Sequence, residues 1–312
     1  MADRDVSSLV VAQSPISVIV NPASGRGRGA KLLPAIREAF GRHGSTDIRL
    51  TERSGDESRI VGEALAAGAT TIAIVGGDGT WGRCAGAVLA AGAGDRVRLA
   101  FVTGGTGNDF AKNLGAPTAD VAAMAALCAD PTAERRVDAG TVESGGTTRW
   151  FLNVAGFGFD AVVLEDTMKG GMLGGQAVYM AAALKRLFGY PGFAYTEGGT
   201  YGESRVGMMV IFSNGATLGG AFRIAPDARI DDGLIDQIAV GNIGAFARVR
   251  LFIHALRGSH TALRGVRTAR RKEYLLTFTE PPKCDLDGEL IQLAHRDVTI
   301  RSVPGAVRAV AR

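Results

Sequence analysis

Apolar residues recur in two different rhythms along this chain, and the change between them falls near residue 130. Residues 16–20, Ile-Ser-Val-Ile-Val, form a short β-branched run that ends at Asn21-Pro22, as a buried strand would. Residues 47–51, 72–75 and 97–102 repeat that signal. Between them, apolar positions at helical spacing mark helices through Leu32, Leu33, Ile36 and Phe40, through Ile60, Val61 and Leu65, and around Val88 and Leu89. Ser54 stands where it can cap the second helix, and residues 121–128 supply a further one. Four strands alternating with helices predict a doubly wound parallel sheet, α/β in class, which binds ligands beyond the carboxyl ends of its strands.

After Asp130-Pro131 the helical spacing gives way to short strand-like runs separated by Gly, Asn and Asp, at 149–154, 205–212, 234–240, 274–279, 290–293 and 298–303. Two helical insertions, 176–188 and 245–257, interrupt them. This rhythm predicts a second, β-rich domain built as an antiparallel β-sandwich. The expected organisation is an α/β domain over 1–134, a β-rich domain over 135–303, and a tail, 304–312, packing back on the first domain. No internal repeat or low-complexity linker is present.

Composition narrows the picture. The 312 residues include 44 glycines, about twice the usual share, clustered at segment ends where loops turn or meet a ligand. A formal charge of +4 is mildly basic; it suits anionic partners without implying nucleic acid. Cys84, Cys128 and Cys284 are scattered and odd in number, and no Cys/His metal spacing occurs, so neither a disulfide framework nor zinc is expected. Met1 to Ser14 lacks the apolar core of a signal peptide, and the uncharged stretch 172–184 is too short to span a bilayer. A soluble protein of the reducing cytoplasm is the expectation.

Three of the four early strands run into glycine-rich loops: residues 23–29, 76–80 and 103–110. Glycines let backbone approach a ligand, and a helix beginning just after them offers unpaired N–H groups and the positive end of its dipole, an arrangement suited to phosphate. In the middle loop, Gly76-Gly77-Asp78-Gly79-Thr80, Asp78 is placed to handle a metal or a proton. A dinucleotide fingerprint at Gly25-x-Gly27-x-x-Ala30 is disfavoured, because Asn21-Pro22-Ala23-Ser24 separates strand from glycines and two arginines lie inside the loop. No Walker P-loop, nucleophile elbow or protein-kinase motif set occurs.

Taken in order, the loops resemble the diacylglycerol kinase/sphingosine kinase catalytic family. Asn21-Pro22-x-Ser24-Gly25, the Gly76 to Thr80 loop and Gly104-Gly105-Thr106-Gly107-Asn108-Asp109-Phe110 match its nucleotide loops. Asn153-x-x-Gly156-x-Gly158-x-Asp160, Asn214 to Gly220, Ala225-Pro226-x-Ala228, Asp231-Asp232-Gly233-Leu234 and Asp287-Gly288-Glu289 follow the family's second half, so the likeness covers roughly residues 16–303. The resemblance implies a soluble bacterial-type lipid kinase that moves the γ-phosphate of Mg-ATP to a lipid hydroxyl, diacylglycerol first.

It also assigns residues. Asn21, Pro22, Ala23, Ser24, Gly25, Thr51, Gly77, Asp78, Gly79, Thr80 and Thr106 would contact ATP, with Arg26, Arg28 and Lys31 adding positive charge. Asp78 would bind or orient catalytic Mg²⁺, and Glu289 or Asp287 would be the base, a choice the sequence leaves open. Asp232, with main-chain oxygens near Arg229 and Leu234, would hold a structural Mg²⁺. The chain departs from the family where Trp81-Gly82-Arg83 stands in place of the usual x-Asn-Glu. Arg248, Arg250, Arg257, Arg264, Arg267, Arg270, Arg271 and Lys272 form a stretch without acidic residues beside the apolar stripe Phe246, Val249, Ile253 and Leu256. That pattern predicts reversible contact with an anionic membrane face. Interleaved stacking aromatics are missing, so no nucleic-acid partner is expected. The alternatives are a NAD kinase-like enzyme, opposed by Asn-Pro-x-Ser-Gly and Asp-Gly-Glu, and a non-catalytic nucleotide- or lipid-binding regulator. A homodimer stays open.

Overall fold

The computed structural model describes residues 15–169, 176–199 and 201–312. Met1 to Ser14 and the first part of the stretch 172–184 lie outside the described residues.

Strands β1 (Ile16–Val20), β2 (Asp47–Leu50), β3 (Thr71–Gly76) and β4 (Arg98–Thr103) pair in parallel in the order β2-β1-β3-β4. Side chains alternate across a strand, so each strand feeds two cores. Val18, Val20, Ala73, Val75, Ala100 and Val102 face α1 (Ser24–Gly41) and α5 (Val121–Ala129), meeting Ile36, Phe40, Met124 and Cys128. Ile19, Ile72, Ile74, Leu99 and Phe101 face α2 (Asp56–Ala66) and α3 (Asp78–Ala90), meeting Ile60, Val61, Trp81, Cys84 and Val88. A short α4 (Ala111–Leu114) follows the third glycine loop. Trp81 is fully buried; its indole N–H donates to the Ile74 carbonyl at 3.2 Å and its ring meets Phe101 edge-on. It anchors the helix that opens at Asp78.

The second half builds β5 (Arg135–Ser144), β6 (Thr147–Phe151), β7 (Val154–Gly158), β8 (Phe193–Glu197), β9 (Glu203–Ser213), β10 (Ile235–Gly241), β11 (Val266–Arg271), β12 (Glu273–Phe278), β13 (Lys283–Leu286), β14 (Glu289–Gln292) and β15 (Asp297–Ala309). The pairings within this set are antiparallel. One core of the sandwich gathers Phe157, Phe212, Tyr274 and Phe278. The other lies beneath α6 (Phe159–Lys169), α7 (Gln176–Leu187) and α8 (Ala245–Arg257), around Val163, Leu187, Met208, Ile211 and Leu251. Strand β15 joins the halves. It runs antiparallel to β12 and β5, breaks register between Val303 and Val307, and then pairs Arg308 and Ala309 in parallel with Arg98 and Leu99 of β4.

Three expectations change. Ser54 does not cap α2, whose N-cap is Gly55 with no side-chain cap. The single strand expected over 149–154 is two strands, because the chain turns at Leu152 and Asn153, whose N–H groups join that of Val154 in donating to the Asp287 carboxylate, and pairing resumes at Val154 opposite Ser213. The basic stretch does not present all its charges on one surface. Arg248 is buried and donates to the carbonyls of Ile243 and Leu187 and to the Asn242 side chain, so its charge ties α8 to α7. Arg270, on the free edge of β11, pairs with Asp236 at 3.1 Å. Charged side chains on such an edge discourage pairing with another chain.

Candidate active site

The three glycine loops meet at the carboxyl ends of β1, β3 and β4. The Gly76 carbonyl accepts the N–H groups of Gly104 and Gly105 at 2.7 and 2.9 Å. A Cβ on Gly105 would stand 2.5 Å from Gly77 Cα, and one on Gly25, at φ +58°, would stand 2.1 Å from the Gly104 oxygen. Only glycine fits both places. The Asn21 amide donates to Thr80 Oγ1 at 2.9 Å, its other side-chain atom accepts the Ala23 N–H, and the Ser24 hydroxyl donates to the Asn21 carbonyl. Pro22 closes this turn by accepting the Ala30 N–H. Thr51 lies buried just past β2, its N–H on the Val20 carbonyl, while Thr106 is exposed at the rim. Arg26, Arg28 and Lys31 are exposed.

Helix α3 starts inside this nest with Gly77 at its N-cap and no side chain capping it. A helix end left in that state presents N–H donors and partial positive charge to an anion. Asp78 stands at its first turn, and its Oδ1 accepts the Phe110 N–H at 3.1 Å. A Cβ on Gly107 would lie 3.2 Å from Asp78 Oδ2 and 3.4 Å from Asp109 Oδ2, so two carboxylates converge on one glycine. Burial and the Asp109 charge push Asp78 up to about 6. Lys112 and the Gly220 N–H hold Asp109 in place. Like charges arranged this way suit a divalent cation that also meets substrate phosphates. Among the described residues there is no cluster of three or more acidic, His or Cys ligands.

The Asp287-Gly288-Glu289 turn reaches this helix from the second half. Asp287, at φ +52°, is buried, and its carboxylate accepts the Leu152, Asn153 and Val154 N–H groups at 2.6–2.9 Å. Burial pushes it up to about 7 against the pull of those donors. Glu289 is half-buried at the start of β14, 3.4 Å from Arg83 Nη1. The geometry separates two residues that the sequence leaves equivalent: the Asp287 carboxylate is spent on backbone donors, and the Glu289 carboxylate, partly exposed, borders the second cleft beside Arg83. Asp285 lies fully buried behind the turn, where burial and neighbouring Asp160 push it well up.

Two clefts flank the helix end. One, ≈ 270 Å³, runs past Asp78, Gly107, Asp109, Asn153 and Leu218; the other, ≈ 260 Å³, past Arg83, Trp150 and Glu289; both touch Gly79 and Asp287. Leu218 also borders a small apolar cavity, ≈ 60 Å³, among Phe159, Leu187, Met208, Ile211, Leu251 and Phe252. Neither this cavity nor Glu57, the buried partner of Arg83, was legible in the sequence, since their residues come from distant segments. Asp232 lies apart from the clefts' lining. Its Oδ1 accepts the Leu234 N–H, its Oδ2 is 4.0 Å from Arg270, and Arg229 beside it reaches Asp231.

Glycine loops that meet at an uncapped helix end, paired acidic residues beside them and an adjoining apolar cavity make up an architecture of the phosphoryl-transfer type. Family models match on both halves: the diacylglycerol kinase catalytic domain over residues 15–142 and the YegS C-terminal NAD kinase beta sandwich-like domain over 153–311. The chain belongs to this family of lipid kinases. It is 34% identical to a Xanthomonas euvesicatoria protein named "Probable lipid kinase YegS-like", over 88% of this chain and 90% of that one. It is 30% identical to a Mycobacterium tuberculosis diacylglycerol kinase, over 82% and 83%. A crystal structure of a Bacillus anthracis protein, described provisionally as a diacylglycerol kinase, shares the fold with a TM-score of 0.75 at 23% identity, covering 96% of this chain and 97% of that one.

The close approach of the loops is testable by stability. Gly105→Ala should cost about 1–3 kcal/mol from overpacking against Gly77. Gly41→Ala, where an added Cβ meets nothing within 4 Å, should be neutral or slightly stabilising. Thermal denaturation of both variants reads the difference, and equal melting temperatures would refute the packing argument.

Proposed function

We propose that the protein is an ATP-dependent lipid kinase that transfers the γ-phosphate of Mg-ATP to a lipid hydroxyl, with diacylglycerol the favoured acceptor. The observation that carries this reading is the apolar cavity, which meets the cleft at Leu218. An acyl chain gains about 0.8 kcal/mol per buried CH₂. A lining charged only at Asp160 and Arg248, the latter turned to backbone carbonyls, is chemically matched to apolar chain and not to a dinucleotide. That argues against the NAD kinase-like alternative.

In this reading the N–H groups at the start of α3 and the Gly25 and Gly105 loops receive the ATP phosphates. Asn21, Pro22, Ala23, Ser24, Thr51, Thr80 and Thr106 shape the nucleotide side. Asp78 and Asp109 hold Mg²⁺, which when bound neutralises phosphate charge. Phosphoryl transfer asks the protein mainly for positioning and charge compensation. Glu289 takes the proton of the acceptor hydroxyl where the two clefts meet at Gly79, and Asp287 keeps the turn rigid. Loss of a general base costs about 10²–10⁴-fold. Labelled ATP with a panel of lipids in mixed micelles should give phosphorylated diacylglycerol, and Glu289→Gln should bind ATP yet turn over at least a hundredfold more slowly. ATP binding with no turnover on any lipid would favour a regulator instead.

Asp232, with the main-chain oxygens of Arg229 and Leu234, is the candidate for a structural Mg²⁺. One carboxylate and two carbonyls are the hard oxygen donors such an ion takes. Mg²⁺ should then raise the melting temperature of the wild type, and Asp232→Ala should lose that increment; the same increment in both would refute the site.

Membrane contact is proposed through α8. Its inner face, Leu251 and Ala255, lines the apolar cavity. Its outer face exposes Phe246 at 94%, Ile253 at 48% and Leu256 at 38%, beside exposed Arg250 and Arg257. The contact proposed is peripheral, with an anionic leaflet; among the described residues no helix is long and apolar enough to cross a membrane. Co-sedimentation should show binding to anionic vesicles that weakens in high salt and in Phe246→Ser; equal binding to neutral vesicles would count against it.

A further inference from the structure

The two departures from the family pattern at the start of α3 both face the Asp287-Gly288-Glu289 turn. A Cβ on Gly82 would lie 2.7 Å from Asp287 Oδ2 and 3.2 Å from Asp287 Cβ, so glycine there leaves the space that the Asp287 carboxyl fills. One residue on, Arg83 spans three elements. Its Nη2 donates to Glu57 Oε1 at 2.7 Å, and its Nη1 lies 3.4 Å from Glu289 Oε2. Glu57 is 1% exposed and also accepts the Gly55 N–H at 3.0 Å, so it is a fixed anchor on α2. Arg83 is itself largely buried, and its Nε has no partner among the described residues. The guanidinium is a planar fork held at one edge by a rigid carboxylate, with its other arm on the carboxylate that faces the cleft.

We propose that Arg83, anchored by Glu57, is the positioning residue for Glu289, and that Gly82 and Arg83 together form the seat into which the second half's Asp-Gly-Glu turn docks. This rests on the reading of Glu289 as the base. The physical case is one of geometry. Glu289 begins β14, whose pairing partner among the described residues is β13, and its carboxylate is half-exposed on a side chain with three rotatable bonds. Without a fixed cation it would sample several rotamers, and a displacement of about 1 Å at a reacting group can cost 10²-fold. Glu57 satisfies part of the Arg83 charge, so the pair presents Glu289 with a directed donor. A phosphate of ATP competing for Arg83 would leave that geometry, which gives the rival role a distinct kinetic signature.

The test uses Arg83→Met, Arg83→Lys and the double variant Glu57→Gln/Arg83→Met, the last because Arg83→Met alone leaves Glu57 buried and unpaired and can fail to fold. Steady-state kinetics with ATP and diacylglycerol should show kcat down about 10–100-fold in Arg83→Met and in the double variant. KM for ATP should stay within about twofold, and Arg83→Lys should recover part of the loss. Adding Arg83→Met to Glu289→Gln should lower turnover no further, the non-additivity expected of residues acting as a unit. A raised KM for ATP at intact kcat would make Arg83 a phosphate ligand and overturn the proposal, as would additive losses. Wild-type turnover in Glu289→Gln would overturn the base reading and this proposal with it. A slow Glu289→Gln beside a wild-type Arg83→Met would overturn this proposal alone.

Discussion

The close approach of three glycine loops is the constraint on which the cleft depends. The Gly76 carbonyl serves two N–H donors of the third loop, Gly105 lies against Gly77, and Gly25 lies against Gly104. Each of these contacts is a backbone meeting a backbone. Such contacts bring the ends of β1, β3 and β4 together and leave the N-terminus of α3 uncapped. Glycine loses more backbone freedom on folding than other residues, about 0.5–1 kcal/mol relative to Ala. The buried layers on both faces of the parallel sheet, with Trp81 locked between Ile74 and Phe101, offset that cost and hold the loops in place.

The second half completes the site through one carboxylate and one strand. Asp287 accepts three consecutive backbone N–H groups, which satisfies the donors at the break between β6 and β7 and fixes the turn carrying Glu289. A buried carboxylate with this many donors is costly to disturb, since any lost partner leaves a polar group unpaired out of water. Strand β15 adds the tie at the far side, pairing with β12 and β5 and then with β4. The cleft walls therefore belong to one hydrogen-bonded framework. The Asp-Gly-Glu turn, a helix end and a pair of acidic residues can be held at fixed separations only if their supports are connected in this way.

The apolar cavity and α8 show how charge in a sequence divides once it folds. Arg248 and Arg250 are two residues apart on one helix. Arg248 points inward and is absorbed by carbonyls of α7 and the β10–α8 connection, while Arg250 remains in solvent. The cavity between α7, α8 and β9 is walled by Leu187, Met209 and Leu251, positions that read individually as ordinary core.

Much of the architecture was legible in the chain because it is written in local terms. Period-two alternation and helical spacing are properties of neighbours, so the four parallel strands, their helices and most later strands could be placed from residues a few positions apart. The loops at Asn21, Gly76 and Gly104 were recognisable because phosphate-type chemistry needs glycine, a hydroxyl and a carboxylate in a fixed local order. Tertiary structure alone decided that the Asp287 carboxylate is taken up by backbone donors and that of Glu289 is not, because those donors are three N–H groups more than 130 residues away. It decided, too, the partners of Arg83, the interior place of Arg248 and the existence of the cavity. Those outcomes are set by which distant surfaces meet, and spacing along the chain carries no record of that.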